Sequence, residues 1–224
     1  MISSNFLAYY IGSNALLYLL IHVPLDTLII INRQEKQRRG AKDYPPWEEG
    51  KSFTKIVTLL TSLYFWIFFI CWPIFHLFGW DEFFFIFNFE IPYAGIVMQY
   101  IGLILIGAGT FIATMGRIAR GRKAISWGVP KELTTNLGFR IVRHPLYASY
   151  CYYFIGIPLA MQNYLLLPLI LGVIGYYSTA KYEEKILEAE FGETYHKYQK
   201  KGGMLIPFIG KRKKITTGIV LGDQ

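Results

Sequence analysis

The sequence is poor in the residues that build metal centres and disulfide frameworks. Of 224 residues, two are cysteines and four are histidines. Cys71 and Cys151 fall in separate apolar stretches, and no histidine stands at ligand spacing from them. That argues against a metal site and predicts buried, inert thiols. Internal repeats and low-complexity tracts are missing too, which removes the usual sequence support for a repeat-built transporter. Charged residues make up 17% of the chain, and segments 1–4, 79–92 and 161–164 contain no Lys or Arg at all. A uniformly solvated domain would not leave such gaps.

What fills the chain instead is hydrocarbon. Hydrophobic residues account for 53% and aromatics for 17%, with a mean hydropathy of +0.31. Stretches 7–31, 56–80 and 93–115 each approach the ~20 apolar residues that cross a bilayer. Stretch 147–180 is too long for one crossing, and Pro158 with the polar pair Gln162-Asn163 interrupts it, so it predicts a helical hairpin. The fold class expected is an all-α membrane protein of about five transmembrane helices, the last two forming the hairpin.

All 23 Lys and Arg residues fall in segments 33–55, 117–143 and 181–214. These alternate with the segments that lack them, which is the positive-inside pattern. It predicts a multi-pass protein with its N-terminus outside and its C-terminus in the cytoplasm. The net charge of +8 then belongs to cytoplasmic loops facing anionic lipid headgroups, with no nucleic-acid partner needed. No Lys or Arg precedes the first apolar stretch and no small-residue cleavage site follows it, so the first helix is expected to be retained. The outer segment "DEFFFIFNFEIPY" is expected in the membrane interface, where aromatic rings prefer to sit. Near the C-terminus, "KYEEKILEAEFGETYHKYQKK" carries Leu187, Phe191, Tyr195 and Tyr198 as a stripe at helical spacing. It predicts a cytoplasmic amphipathic helix continuing the last span.

Polar chemistry concentrates at the cytoplasmic base of the hairpin. Arg143-His144-Pro145 opens the fourth span, with Pro145 suited to a first helical turn, and Glu183-Glu184 leaves the fifth. Hairpin geometry makes these ends neighbours, so His144, Tyr147 and the glutamates are expected to converge on one cytosol-facing pocket.

"RHPLY" at 143–147, followed by "EE" at 183–184, resembles the paired signature of integral-membrane methyltransferases. That group includes isoprenylcysteine carboxyl methyltransferases and phospholipid N-methyltransferases. Leu133, Thr135 and Val142 before the motif agree with it, as do "FGETYHKY" and Ile206-Pro207 after it. The resemblance spans residues 93–210. It divides the chain into a two-span N-terminal region (1–92), a methyltransferase-like catalytic core (93–210) and a basic tail (211–224). One departure stands: Leu137-Gly138-Phe139 occupies the place of the family's Gly-Pro-Tyr.

The resemblance implies S-adenosylmethionine as cofactor, methyl transfer to a lipid-like or prenylated acceptor, and a specific residue set. It implies cofactor contacts from Gly107, Gly109, His144, Pro145, Tyr147, Glu183 and Glu184, with Arg143 and Glu184 in catalytic roles. Residue chemistry agrees. Glutamates accept from an ammonium or ribose hydroxyls, Arg143 pairs with a carboxylate, and His144 bonds or stacks with adenine. The acceptor reading is isoprenylcysteine carboxyl O-methylation, with phospholipid amine N-methylation as the alternative. Two further readings compete: a membrane sterol or steroid reductase using NADPH, whose motifs find no close match here, and a non-enzymatic membrane protein. Gly107 and Gly109 also suit simple helix packing. His22 and Asp26 share a face of the first span and stay outside the site, while His76 and His196 read as interface residues.

Overall fold

The computed structural model describes residues 1–38, 52–120, 132–207 and 209. Among these, every regular element is helical: α1 (Ser4–Arg38), α2 (Ser52–Leu77), α3 (Glu82–Phe85), α4 (Gly95–Arg120), α5 (Gly138–Ile141), α6 (Pro145–Met161), a 3₁₀ segment (Tyr164–Ile170) and α7 (Leu171–Gln199). Four stretches are long and apolar enough to cross a membrane: Ser4–Leu25, Phe53–Leu77, Gly95–Arg120 and Tyr164–Gln199. Helix α6, expected as the fourth span, has 17 residues. Pro145 opens it, and Gln162 closes it at a left-handed φ of 48°. Its length of about 25 Å falls slightly short of a ~30 Å hydrocarbon layer.

Helices α6 and α7 form the expected hairpin. Gly172 faces Phe154 near the turn, Tyr150 stacks on Tyr176 at 4.6 Å midway, and His144 meets Glu183 at the base. The polar pair that breaks the apolar run ties that turn to the neighbouring segments. Asn163 donates to the Phe84 carbonyl and to Asn88 Oδ1, both at 2.8 Å. The Gln162 carbonyl accepts from the Phe89 amide at 2.8 Å, and its side chain donates to the Gly95 carbonyl. The aromatic segment between α2 and α4 therefore clasps the hairpin turn, satisfying backbone groups that hydrocarbon cannot.

Helix α4 is the partner that fixes α6. A Cβ added at Gly102 would stand 2.4 Å from the Ala160 amide nitrogen and 2.5 Å from the Gly156 carbonyl. Only hydrogen fits there, so the two backbones meet directly, the packing mode of membrane helices. Gln99 of α4 ties α6 to the chain just before α1, accepting from the Ile2 amide at 2.8 Å and donating to the Ala160 carbonyl at 2.9 Å. Phe65 of α2 stacks on Tyr153 of α6 in the buried core, and Phe69 meets the same ring at a tilt. Outward-facing Leu20, Leu59, Ile104 and Ile174 stay exposed in the isolated chain, as a lipid-facing surface requires.

The C-terminal amphipathic stretch departs from expectation. It is not one helix: Gly192 takes φ 48° and ψ −124°, breaking α7. Glycine adopts that conformation without the Cβ clash any other residue would meet. Beyond the break, Tyr195 and Tyr198 still pack with Leu187, now around the buried Phe139. The stripe reading survives as packing, while the continuous helix does not.

Candidate active site

The base of the hairpin is built from four pieces of chain. Helix α4 ends at Arg120, α6 begins after Arg143-His144, α7 carries Glu183 and Glu184, and the residues after α7 fold back beneath them. The fold-back is a short parallel bridge between Val142 and Gly203. The Arg143 amide donates to the Gly203 carbonyl at 2.9 Å, and the His144 amide to the Met204 carbonyl at 3.2 Å.

Arg143 is the structural centre. Its Nε and Nη2 reach Glu184 Oε1 at 2.7 and 2.6 Å. Its Nη1 donates to the carbonyls of Gln199 and Gly202 at 3.2 and 2.5 Å. A buried guanidinium held by a carboxylate and two carbonyls is neutralised and geometrically fixed. Gln199 extends the network, donating to Glu188 at 2.8 Å and to Glu184 at 3.4 Å.

His144 sits between the two glutamates. Nδ1 lies 3.5 Å from Glu183 Oε2, and Nε2 lies 3.5 Å from Glu184 Oε1. Nε2 is buried at ion-pair range without making a hydrogen bond. Burial works against the imidazolium, but the two glutamates together outweigh it and hold the ring's pKa above its ordinary value. The ring stacks on Tyr147 with centroids 5.7 Å apart. Arg120 approaches Glu183 at 3.7 Å and lies over the Phe139 ring at 5.0 Å.

Five of the seven residues anticipated for cofactor contact therefore gather in one place: His144, Tyr147, Glu183 and Glu184 as polar or aromatic walls, and Pro145 as the helix opener between them. Pro145 itself packs on α4, filling the space a side chain at Gly116 would take. Gly107 and Gly109 are engaged elsewhere. A Cβ at Gly107 would meet the Tyr10 hydroxyl at 2.6 Å, and one at Gly109 would meet Ser149 and Tyr153 at 3.2 Å. Gly107 therefore faces Tyr10 of α1, and Gly109 faces α6. Arg143, anticipated as catalytic, is buried with protein partners. Three contributors were not anticipated: Arg120, Gln199 and the Gly202-Gly203 fold-back. The adjacent glycines after a charged helix are the one sequence signal that marks a tight return there. His22 lies outside the cluster, buried and stacked on Tyr18 at 3.7 Å, and the Asp26 side chain is outside the described residues. Among the described residues no group of three or more His, Cys, Asp or Glu is arranged to hold a metal ion. The Leu137-Gly138-Phe139 departure forms a tight turn closed by a 3.0 Å bond from the Phe139 amide to the Asn136 carbonyl, with Leu137 at φ 46° and ψ −121°.

Residues 97–194 match the family model of the phospholipid methyltransferases. That segment contains α4, the Arg143-His144-Pro145 corner and the Glu183-Glu184 pair. The match bears out the resemblance read from the paired motif, and the four apolar helices support an integral membrane protein. No curated protein matches the chain.

Proposed function

We propose that this chain is an S-adenosylmethionine-dependent methyltransferase acting on a lipid-like acceptor at the cytoplasmic membrane surface, with all five helical stretches, α6 included, embedded in the bilayer. The observation that carries the reading is the convergence of Glu183, Glu184, His144 and Tyr147 on the base of the hairpin within the matched segment. The donor set suits the cofactor. Two carboxylates offer acceptors to its ammonium and ribose hydroxyls, and the buried Nε2 of His144 has hydrogen-bonding capacity left over. When bound, S-adenosylmethionine supplies an electrophilic methyl on a sulfonium. The chain's part is to orient, desolvate and align, since an in-line displacement needs no protein nucleophile. Tyr147 and His144 offer an aromatic wall, Glu183 and Glu184 the charged contacts, and Arg143 holds Glu184 in position.

The acceptor reading follows from proton demand. Glu184 is committed to Arg143, Glu183 is shared by His144 and Arg120, and His144 stands between the two glutamates, which raise its pKa. The site therefore offers no idle general base. An acceptor already ionised at neutral pH, such as the carboxylate of a prenylated cysteine, needs none. A phospholipid amine, the reading the family match favours, must lose a proton first, and Glu183 or a deprotonated His144 would have to take it. Incubating the purified chain with methyl-labelled S-adenosylmethionine and either lipid extract or a prenylated cysteine separates these readings. Base-labile label on the prenylated cysteine supports the ester, and base-stable label in the phospholipid fraction supports the amine. Label in neither overturns the proposal.

A further inference from the structure

Beside the hairpin base lies a cavity whose charge is opposite in sign to the Glu183-Glu184 pair. It is a cleft of about 800 Å³ between the segment before α5 and the end of α7. Arg140, Lys197 and Lys201 line it together with Thr135, Asn136 and Thr194, and no Asp or Glu does. All three cations are exposed. Among the described residues, none of their charged groups is taken up by a salt bridge or hydrogen bond. The cleft is separated from the Arg143 cluster by a shared wall. Gly202, a lining residue, gives its carbonyl to Arg143. Tyr198, another, is fixed by its hydroxyl donating to the Phe139 carbonyl at 2.6 Å.

Three like charges around one concavity repel each other, and low-dielectric walls strengthen the field inside it. Such a cleft disfavours a sulfonium or an ammonium and favours an anion. Hydroxyl and amide groups among the cations add neutral donors, the mixture that recognises a phosphate. The neighbouring cluster, with Glu183 and Glu184, has the complementary preference for a cation. We propose that the Arg140–Lys197–Lys201 cleft is a binding site for a phosphate-bearing anion, distinct from the cofactor pocket. The phosphate belongs either to an anionic lipid headgroup reaching up from the bilayer surface or to a soluble phosphate. This inference does not depend on methyl transfer, because none of the lining cations takes part in the proposed reaction.

The test is calorimetric titration of the full chain in a neutral detergent with three probes: inorganic phosphate, short-chain phosphatidylglycerol and short-chain phosphatidylcholine. Each is repeated on the Lys197→Gln/Lys201→Gln variant and on Lys181→Gln/Lys185→Gln, which removes the same charge from α7 outside the cleft. Saturable binding of phosphate or phosphatidylglycerol is expected, with affinity falling about tenfold or more in the cleft variant. The control variant should bind like the parent. Binding of phosphatidylglycerol without inorganic phosphate identifies a lipid headgroup, whereas binding of inorganic phosphate identifies a soluble anion. No binding of either, equal loss in both variants, or phosphatidylcholine binding as well as phosphatidylglycerol overturns the assignment. Thermal midpoints of both variants, measured alongside, keep a misfolded cleft variant from counting as a loss of binding, and Arg140→Gln then serves as the second cleft variant.

Discussion

At the scale of single residues, the site is a set of charges that hold one another in place. Glu184 is the main anionic partner of a buried guanidinium. Replacing it by glutamine keeps the shape but removes the carboxylate that Arg143 meets through Nε and Nη2, and breaking such a pair costs about 3 kcal/mol. Denaturant unfolding in micelles should show Glu184→Gln destabilised by that amount. Arg143→Lys should lose a comparable share, because an ammonium cannot span Glu184 and two carbonyls at once. His144 sets a pH dependence of definite sign. Its folded pKa is raised above 6.5, so the imidazolium's contribution to stability is fully present below that value. It is lost as pH rises through the raised value. Thermal midpoints of the ligand-free protein should fall over that range, and His144→Gln should flatten the fall; an unchanged slope in the variant would remove His144 as its source. Much of this cluster was legible, because "RHPLY" and "EE" mark their own positions. The carbonyls of Gln199 and Gly202 were not, since a backbone acceptor leaves no trace in residue identity. The glycines at 107 and 109 resist reading for a related reason: a missing side chain admits a cofactor and a neighbouring helix equally well.

Helices and turns were readable where hydrophobic run length decided them and obscure where one torsion did. The hairpin followed from an apolar run too long for one crossing with a polar pair in its middle. The break at Gly192 did not, because the Leu187-Phe191-Tyr195-Tyr198 spacing fits an unbroken helix. Tertiary packing on Phe139 decides otherwise. Gly192→Ala should therefore destabilise the chain by about 1–3 kcal/mol, the cost of a side chain at that φ. Leu137 offers the converse test. Its φ of 46° and ψ of −121° match the first central position of a type II′ turn, which glycine prefers. Leu137→Gly should raise stability by about 1 kcal/mol, read as a higher thermal midpoint. A lower midpoint would mean that the leucine side chain contributes more than the turn strain removes.

For the molecule as a whole, the architecture divides the work by solvent. Four helices are long and apolar enough to cross a membrane, and the short α6 packs among them, with α4 pressed backbone-to-backbone on α6 to set where the hairpin base stands. At that base the chain brings acidic and basic groups together above the Gly202-Gly203 fold-back, and the basic cleft lies beside them. The arrangement suits a soluble cofactor arriving from water and an apolar acceptor arriving from lipid. Composition and charge placement predicted the membrane body because hydrocarbon thickness and the positive-inside pattern act on whole segments. They could not give the acceptor, which depends on pocket walls that several elements share. The central claim is that the hairpin base holds S-adenosylmethionine. Calorimetric titration of the purified full chain with its demethylated product, S-adenosylhomocysteine, tests it most directly, with NADPH titrated in parallel. The account predicts saturable binding of the nucleoside product, a loss of tenfold or more, about 1.4 kcal/mol per decade, in Glu183→Gln, and no heat with NADPH. Absence of binding to the folded protein, or binding that Glu183→Gln leaves untouched, would contradict it.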